Sequence, residues 1–488
     1  MNYYLGIDIG TTSAKAVAFS EDGKIIAKEN AGYELYHPQP GWSEQDANEI
    51  LTAAITGIIS ILDTLHSAPS FISFSAAMHS VIAVNETGKA LTPCMIWADN
   101  RSATIAEKLR DTPEGMSFYE KTGVPVHAMT PFSKLLWIKE NDRTLFSSAH
   151  KFIGIKEFIL FHLTKKFVVD TSIASATGLL NIHSLQWDQS VLDYIGITEN
   201  QLPDIISPLH ILYPHEQSTL LTEKLSMLKD VPLVAGASDG ALANVGSNAT
   251  DEDSVAVTIG TSSAVRRIQS FIFTDTRMRT FCYHLKHQEY IVGGASNNGA
   301  VILQWLKETV LKTTEPYEVL FAEAENIAAG CEGLLFVPYL LGERAPVWNA
   351  YAKGVFFGID IKHTQAHFVR AVMEGIIYSV YSIGEILLKQ NDFSDIHATG
   401  GFTQSTAWLQ MLSDMFNKKV VVSAAAESSA RGAVIIGMEA LQIKQTLEVE
   451  TTVAYTPKEL HHAIYYQRFQ QFERIYTLLK NEMKPLVM

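Results

Sequence analysis

The sequence predicts an α/β protein made of two related halves that face each other across a cleft. Three observations carry this reading. Residues 8–14 read DIGTTSA and residues 258–264 read TIGTSSA, identical at five of seven positions. Each copy lies between two β-patterned apolar runs, YYLGIDI and AKAVAFS around the first, SVAVTI and AVRRI around the second. The chain, 488 residues long, has room for two cores. Gly, Thr and Ser are common turn residues, so chance repetition is the competing reading. The matching strand–turn–strand context argues against it.

In the first half, strands over YYLGIDI and AKAVAFS are followed by the turn EDG (21–23) and a third strand, KIIAKE. A helix comes next. Ser43 and Asp46 fit a capping box, and Ile50, Leu51, Ala54, Ile58, Ile61, Leu62 and Leu65 recur at helical spacing. FISFSAAMHSVIAV (71–84) reads as two strands broken at Ala76–His79. The second half repeats the pattern, with TFCYHL and EYIVGGA extending its sheet. A helix is expected from about Ala300 to Leu311, and a long amphipathic one from about Thr364 to Lys389. DIHATGG (395–401) is a strand running into a Gly pair. A last helix covers 461–484 and could pack back on the first half. The polar run NATDEDS divides the chain into 1–245 and 246–488.

Net charge is −14 with no Lys/Arg block, which argues against nucleic acid or an anionic membrane as partner. Three cysteines without a C-x-x-C pair make neither a disulfide framework nor a zinc site, and suit a reducing cytoplasm. The start, MNYYLGIDIG, has no basic region followed by an apolar core, so no signal peptide is expected. The least polar uncharged stretch, 290–306, carries Asn, Gln and Gly and makes a poor membrane span.

Hairpins rich in Gly, Thr and Ser offer backbone N–H groups and hydroxyls that suit phosphate oxygens. Two of them in opposite walls would hold a polyphosphate. Asp8, just before the first turn, could hold a hydrated Mg²⁺ against it, whereas Thr258 at the matching place could not. No G-x-x-x-x-G-K-[ST] loop occurs. Asp239, among small residues after an apolar run, is either a general base or a helix cap. Met78 and His79 sit at a strand end. Asp99 and Arg101 beside Trp97 form either a ligand corner or a capped salt bridge. HTQAH (363–367) lacks the Glu of a zinc-protease helix. Gly400 and Gly401 let a flat ring or a phosphate approach the backbone, or make a tight strand–helix turn. Glu343 and Arg344 could form a purely structural ion pair.

Two longer stretches carry a resemblance. MTPFSKLLWIKEN (129–141) and GVFFGIDIKHTQAHFVRAVME (354–374) are similar to the two signatures of the FGGY family of carbohydrate kinases, and the likeness runs over nearly the whole chain. It implies two duplicated ribonuclease-H-like (actin-like ATPase) domains with an interdomain active-site cleft. It also implies ATP and Mg²⁺ as cofactors and a small-molecule sugar or sugar acid as partner. Nucleic acid and membrane are not expected, and oligomeric state is left open, a homodimer included. Carried over by motif, Asp8, Gly10, Thr11, Thr12 and Lys15 belong to the first phosphate loop, with Asp8 at the metal. Gly260 and Thr261 form the second loop. Gly299, Gln304, Gly400, Gly401 and Ser405 line the adenosine side. Asp239 matches the catalytic base, Met78 and His79 match the substrate-binding pair, and Asp99 is grouped with them. WADNRS and GERAPVWN look most like members that act on the sugar acid gluconate, the alternative being xylulose or another ketose or polyol. A substrate carboxylate would meet His79, Arg101 or Arg344. A sugar-binding regulator without turnover and an actin- or chaperone-like ATPase are the readings from other classes.

Overall fold

The DIGTTSA turn closes a hairpin between β1 (Tyr3–Ile9) and β2 (Ser13–Ser20), in which Asp8 stands opposite Lys15. The TIGTSSA turn closes the matching hairpin between β7 (Ser254–Ile259) and β8 (Ser263–Gln269), with Ile259 opposite Ser263. Gly10 N–H donates to Ser13 O at 3.0 Å and Gly260 N–H to Ser262 O at 2.9 Å, so the second turn closes one residue tighter than the first, as its register also shows. The computed structural model describes residues 2–483 apart from 219, 221–222, 424–426, 445–446 and 448–450.

Each hairpin grows into its own sheet. In the first, β3 (Ile25–Gly32), β4 (Phe71–Ala76), β5 (Ile211–Leu212) and β6 (Leu233–Ser238) join in the order β5-β6-β4-β1-β2-β3. In the second, β9 (Phe281–Lys286), β10 (Glu289–Ser296), β11 (Asp395–Thr399), β12 (Lys419–Ser423) and β13 (Thr451–Tyr455) join as β9-β10-β8-β7-β11-β12-β13. The runs β3-β2-β1-β4-β6 and β10-β8-β7-β11-β12 have the same order, antiparallel through the hairpin and parallel beyond it. The duplication visible in seven residues therefore extends to a whole five-stranded topology.

Parallel neighbours need crossovers. α1 (Ala47–Leu65) links β3 to β4 and buries the predicted apolar stripe against the first sheet. Asp46 caps it, accepting from Asn48 N–H, while the Ser43 N–H goes instead to Asp99. The expected capping box thus does not form, because a tertiary partner takes Ser43. Between β4 and β6 lies a helical layer that includes α2 (Pro131–Asn141) and α3 (Ile155–Thr164). Its own core is built from residues such as Tyr119, Leu135 and Ile195. α5 (Gln365–Gln390) crosses over to β11. α1 and α5 are long and apolar enough to span a membrane by length and composition, yet α5 is almost wholly buried on the second sheet. The helix expected over 300–311 begins at Val301 and passes into a π-helical turn at Leu306–Leu311.

Two short-loop helices tie the halves together. α4 (Asp239–Gly246) follows β6, and α7 (Ser428–Ala440) follows β12. α7 belongs to the second half of the chain but packs on the first sheet: a Cβ on Gly6 of β1 would stand 2.4 Å from Ala430 O. α7 also crosses α4 backbone to backbone. A Cβ on Gly432 would stand 2.0 Å from Leu242 O, and one on Gly246 1.9 Å from Ser428 O. The last helix, α8 (Glu459–Leu479), does not return to the first half. Tyr465, Phe469, Phe472 and Ile475 form a stripe that it buries in the second core. The expected end at residue 484 lies outside the described residues.

Candidate active site

A cavity of about 190 Å³ lies where the two sheets meet. Thr11, Met78, His79, Trp97 and Asp239 reach it from the first half, Arg266, Tyr283, Arg344 and Trp348 from the second. It opens at the carboxyl ends of parallel strands β1, β4 and β6, where α/β sheets present loops and helix starts to ligands. Five polar atoms around it are buried with no hydrogen-bond partner among the described residues: His79 Nδ1, Ser263 Oγ, Arg266 Nε, Tyr283 Oη and Arg344 Nε. Buried polar atoms are normally paired, so this concentration marks a place completed by a ligand.

Two carboxylates face each other here. Asp239 is the first residue of α4, Ser238 holding the cap position, and its Oδ1 accepts from Gly240 N–H at 2.6 Å. Burial pushes its pKa up, while Arg266, that N–H, Arg344 and Lys156 oppose the shift. Asp8 accepts from Ser75 Oγ at 2.8 Å, its register neighbour on β4. Burial and then the Asp239 charge raise Asp8 to about 6. Among the described residues no group of three or more His, Cys, Asp or Glu could cage a metal. One or two carboxylates beside phosphates is nonetheless the donor set that a hydrated Mg²⁺ takes, so these residues fit that ion.

The nucleotide-side expectations divide. A Cβ on Gly260 or on Gly401 would meet nothing within 4 Å, which leaves open room against the backbone. Gly400 has φ 103°, and a Cβ there would stand 2.4 Å from Ile259 O, so it is glycine for packing on the end of β7. Gly299 packs equally close to Gly260 O, and Ala300 N–H donates to that same oxygen at 2.7 Å. Thr12 and Thr261 are exposed. The Thr11 hydroxyl accepts from Trp97 Nε1 at 2.9 Å. Lys15 pairs with Glu427 at 2.8 Å. The Ser405 hydroxyl caps α6 (Thr406–Phe416) by accepting from Trp408 N–H, and exposed Gln304 donates to Glu308. Both side chains are therefore engaged locally.

Met78 and His79 follow β4 as expected, with His79 at φ 70°. Burial, with Lys134 and Arg344 nearby, holds His79 well below the usual imidazole range, so the ring is neutral. Its loop is pinned from behind. The wholly buried Lys134 ammonium donates to His79 O at 2.6 Å, and to Ile96 O and Met129 O at 2.8 Å.

Asp99 and Arg101 are not part of the cavity wall. Asp99 is fully buried and accepts from Ser43 N–H and from the Arg101 guanidinium. Arg101 also pairs with Glu44 and lies 3.7 Å over the Trp42 ring. This sandwich fixes the corner behind Trp97 and satisfies both charges, which corrects the expectation of a substrate contact from either residue. Glu343 and Arg344 do not form a side-chain ion pair. The Glu343 carboxylate accepts from Ser296 Oγ, Asn297 N–H, Asn298 Nδ2 and Arg344 N–H. The Arg344 guanidinium instead lies 4.6 Å over Trp97. In HTQAH, His367 Nδ1 accepts from Thr364 N–H at the start of α5, a capping role.

Sequence reasoning overlooked Arg266 and Tyr283, and used Trp348 only as part of GERAPVWN. The available signal was strand alternation: on β8, Ala264 and Arg266 face the cavity. Arg267 points the other way and donates to Asn391 O and Asp392 O beyond the end of α5. Trp348 also walls a larger outer groove of about 1080 Å³, where Arg110 donates to its carbonyl oxygen.

The family model for the N-terminal domain of the FGGY family of carbohydrate kinases matches residues 3–246, and that for the C-terminal domain matches 255–441. A gluconokinase of Bacillus subtilis (strain 168) is 41% identical over 99% of this chain and 97% of its own. A xylulose kinase of Staphylococcus epidermidis is 29% identical over 98% of this chain and 97% of its own. The crystal structure of gluconate kinase from Lactobacillus acidophilus superposes with a TM-score of 0.94 at 35% identity, covering 98% of both chains. Two matching glycine-bearing hairpins, two buried carboxylates, a cavity lined by unpartnered polar atoms and likeness over the whole length agree: the chain belongs to the FGGY family of carbohydrate kinases, ATP-dependent enzymes.

Proposed function

We propose that the protein transfers the γ-phosphoryl group of ATP to D-gluconate, forming 6-phosphogluconate. One observation carries the choice of substrate. The same cavity holds a carboxylate able to take a hydroxyl proton, Asp239, and a buried guanidinium able to receive a carboxylate, Arg344, whose Nη2 donates to Ser296 O while its Nε has no partner among the described residues. Burial lowers Arg344 only to about 10, with Glu343 opposing, so it stays charged at neutral pH. The full-length likeness to gluconokinase supports the same choice.

In this reading Asp239 accepts the proton of the acceptor hydroxyl as that oxygen attacks the phosphorus in line and the ADP oxygen leaves. The hairpins at Gly10–Thr12 and Gly260–Thr261 receive phosphate oxygens on N–H groups and hydroxyls. Gly401 leaves the adenosine side open, and Gly400 holds that turn against the end of β7. Mg²⁺ held by Asp8 would neutralise phosphate charge. Met78 and His79 orient the polyol, with His79 neutral and offering one donor and one acceptor. Most of the acceleration comes from positioning, since phosphoryl transfer asks little covalent chemistry of the protein. A reducing cytoplasm suits Cys94, Cys282 and Cys331, all free and buried.

The test is ATP turnover against gluconate, xylulose, ribulose, rhamnulose, fuculose and glycerol. Gluconate is expected to give the highest kcat/KM. A xylulose kinase from Lactobacillus acidophilus matches the fold as well, with a TM-score of 0.94 at 35% identity, so xylulose is the second reading. Turnover on xylulose with none on gluconate selects it.

A further inference from the structure

We propose that Arg266, together with Arg344, receives the carboxylate of the substrate and sets the preference of this site for a sugar acid over a neutral sugar. This rests on the gluconate reading and deepens it, because Arg266 was no part of that reading.

The neighbouring arginine provides the contrast. Arg267, on the opposite face of β8, is satisfied by backbone carbonyls of Asn391 and Asp392. Arg266 projects into the cavity instead, and its Nε is buried without a partner among the described residues. The fold makes room for it there. A Cβ on Gly240 would stand 2.9 Å from Arg266 Nε and 3.0 Å from its Cζ, so the guanidinium lies against bare backbone at the start of α4. Asp239 opposes the Arg266 charge and Glu343 that of Arg344, yet each guanidinium keeps a buried Nε without an acceptor, and an unmet buried donor is costly. A cavity with two such donors is suited to a ligand that brings acceptor oxygens.

Among the described residues lining the cavity, Asp239 is the one carboxylate against the guanidiniums of Arg266 and Arg344. Asp8 and Glu343 act on these groups from behind the lining, so the charges are close to balanced, and the two guanidiniums are the cationic donors that the cavity itself offers a sugar acid. Planar two-pronged donors also match a carboxylate in geometry.

The transferring phosphoryl group is the other oxyanion in reach. The strand favours the carboxylate. Arg266 lies four residues beyond Ser262 of the phosphate hairpin, about 13 Å along β8 at 3.3 Å per residue, and opposite Ala256 rather than the turn.

The experiment compares wild type, Arg266→Met and Arg266→Lys. Binding of D-gluconate and of D-glucitol, its neutral counterpart, is measured by calorimetry, alongside gluconate kinetics, the KM for ATP and melting temperature. Arg266→Met is expected to weaken gluconate binding roughly 30- to 5000-fold, the range for truncating one partner of a buried charge pair. Glucitol affinity, KM for ATP and the melt should stay near wild type, and Arg266→Lys should recover part of the loss. Equal losses for gluconate and glucitol, or a lower kcat with unchanged gluconate affinity and a shifted acid limb, would move Arg266 to the phosphoryl group or Asp239 and overturn the proposal. Unchanged gluconate binding in Arg266→Met overturns it alone. A wild-type enzyme that turns over xylulose and not gluconate overturns the underlying reading first.

Discussion

Asp8 and Asp239 are one residue type in two surroundings, with the metal proposed for the first and the role of base for the second. Both are disfavoured as anions by burial, and each carries one compensating hydrogen bond, from Ser75 and from the Gly240 N–H. Removing the base while keeping its shape, Asp239→Asn, is expected to lower kcat about 10²- to 10⁴-fold and leave the KM for ATP nearly unchanged. A coupled assay reads both, and wild-type turnover by that variant would remove Asp239 from the role. Asp8 makes a pH prediction. Its folded pKa is about 6, above the usual carboxylate value, so protons compete with the cation below that pH. The Mg²⁺ concentration for half-activation should be flat above pH 7 and rise about tenfold per unit well below pH 6. At the residue scale, Asp8 stood out because it borders a Gly-rich turn, whereas the surroundings of Asp239 read equally as a base or a helix cap and only the family resemblance chose between them. Asp99 and Arg101 were misleading because charge beside a Trp reads the same whether it meets a ligand or, as here, Glu44 and Trp42.

At the scale of elements, the crossing of α4 and α7 is the contact that most directly couples the two sheets. Glycine at 246 and 432 lets the two backbones touch. Gly432→Ala should push α7 from α4 at a cost of about 1–3 kcal/mol, the usual range for overpacking. The expected result is a lower melting temperature and a kcat reduced more than either KM, because the carboxyl ends of both sheets shift together. A variant with an unchanged melt and unchanged kinetics would show that the crossing tolerates extra bulk. The hairpins, the first helix and the long fifth helix were readable from alternation and 3.6-residue spacing. The packing of α7 on the sheet of the other half was not, since its small-residue face carries no address. The destination of α8 was equally silent: its aromatic stripe says that it is buried, not in which core.

For the molecule as a whole, the cavity and the outer groove share a wall, and Trp348 is that wall. The ring also lies 5.3 Å from the His127 ring at a tilt of 56°, a contact that joins the first half to the second. Trp348→Ala should open the cavity to the groove and admit water. Sugar-independent ATP hydrolysis is then expected to rise while transfer to gluconate falls, as when a closed site loses its seal. ADP release without sugar, measured against phosphorylated product, gives the ratio. An unchanged ratio would mean that the seal lies elsewhere.

By itself the sequence determined the duplication, the α/β class and the two Gly-Thr-Ser hairpins. These follow from short-range rules of turn chemistry and periodicity, which act within a few residues of chain. Only the tertiary structure decided which charges meet solvent, a ligand or each other. Lys134 gathers three carbonyls from separate loops behind His79, and Arg266 reaches Gly240 across the domain boundary. Such pairings depend on distance in space between segments far apart in the chain, and a linear pattern holds no record of that distance.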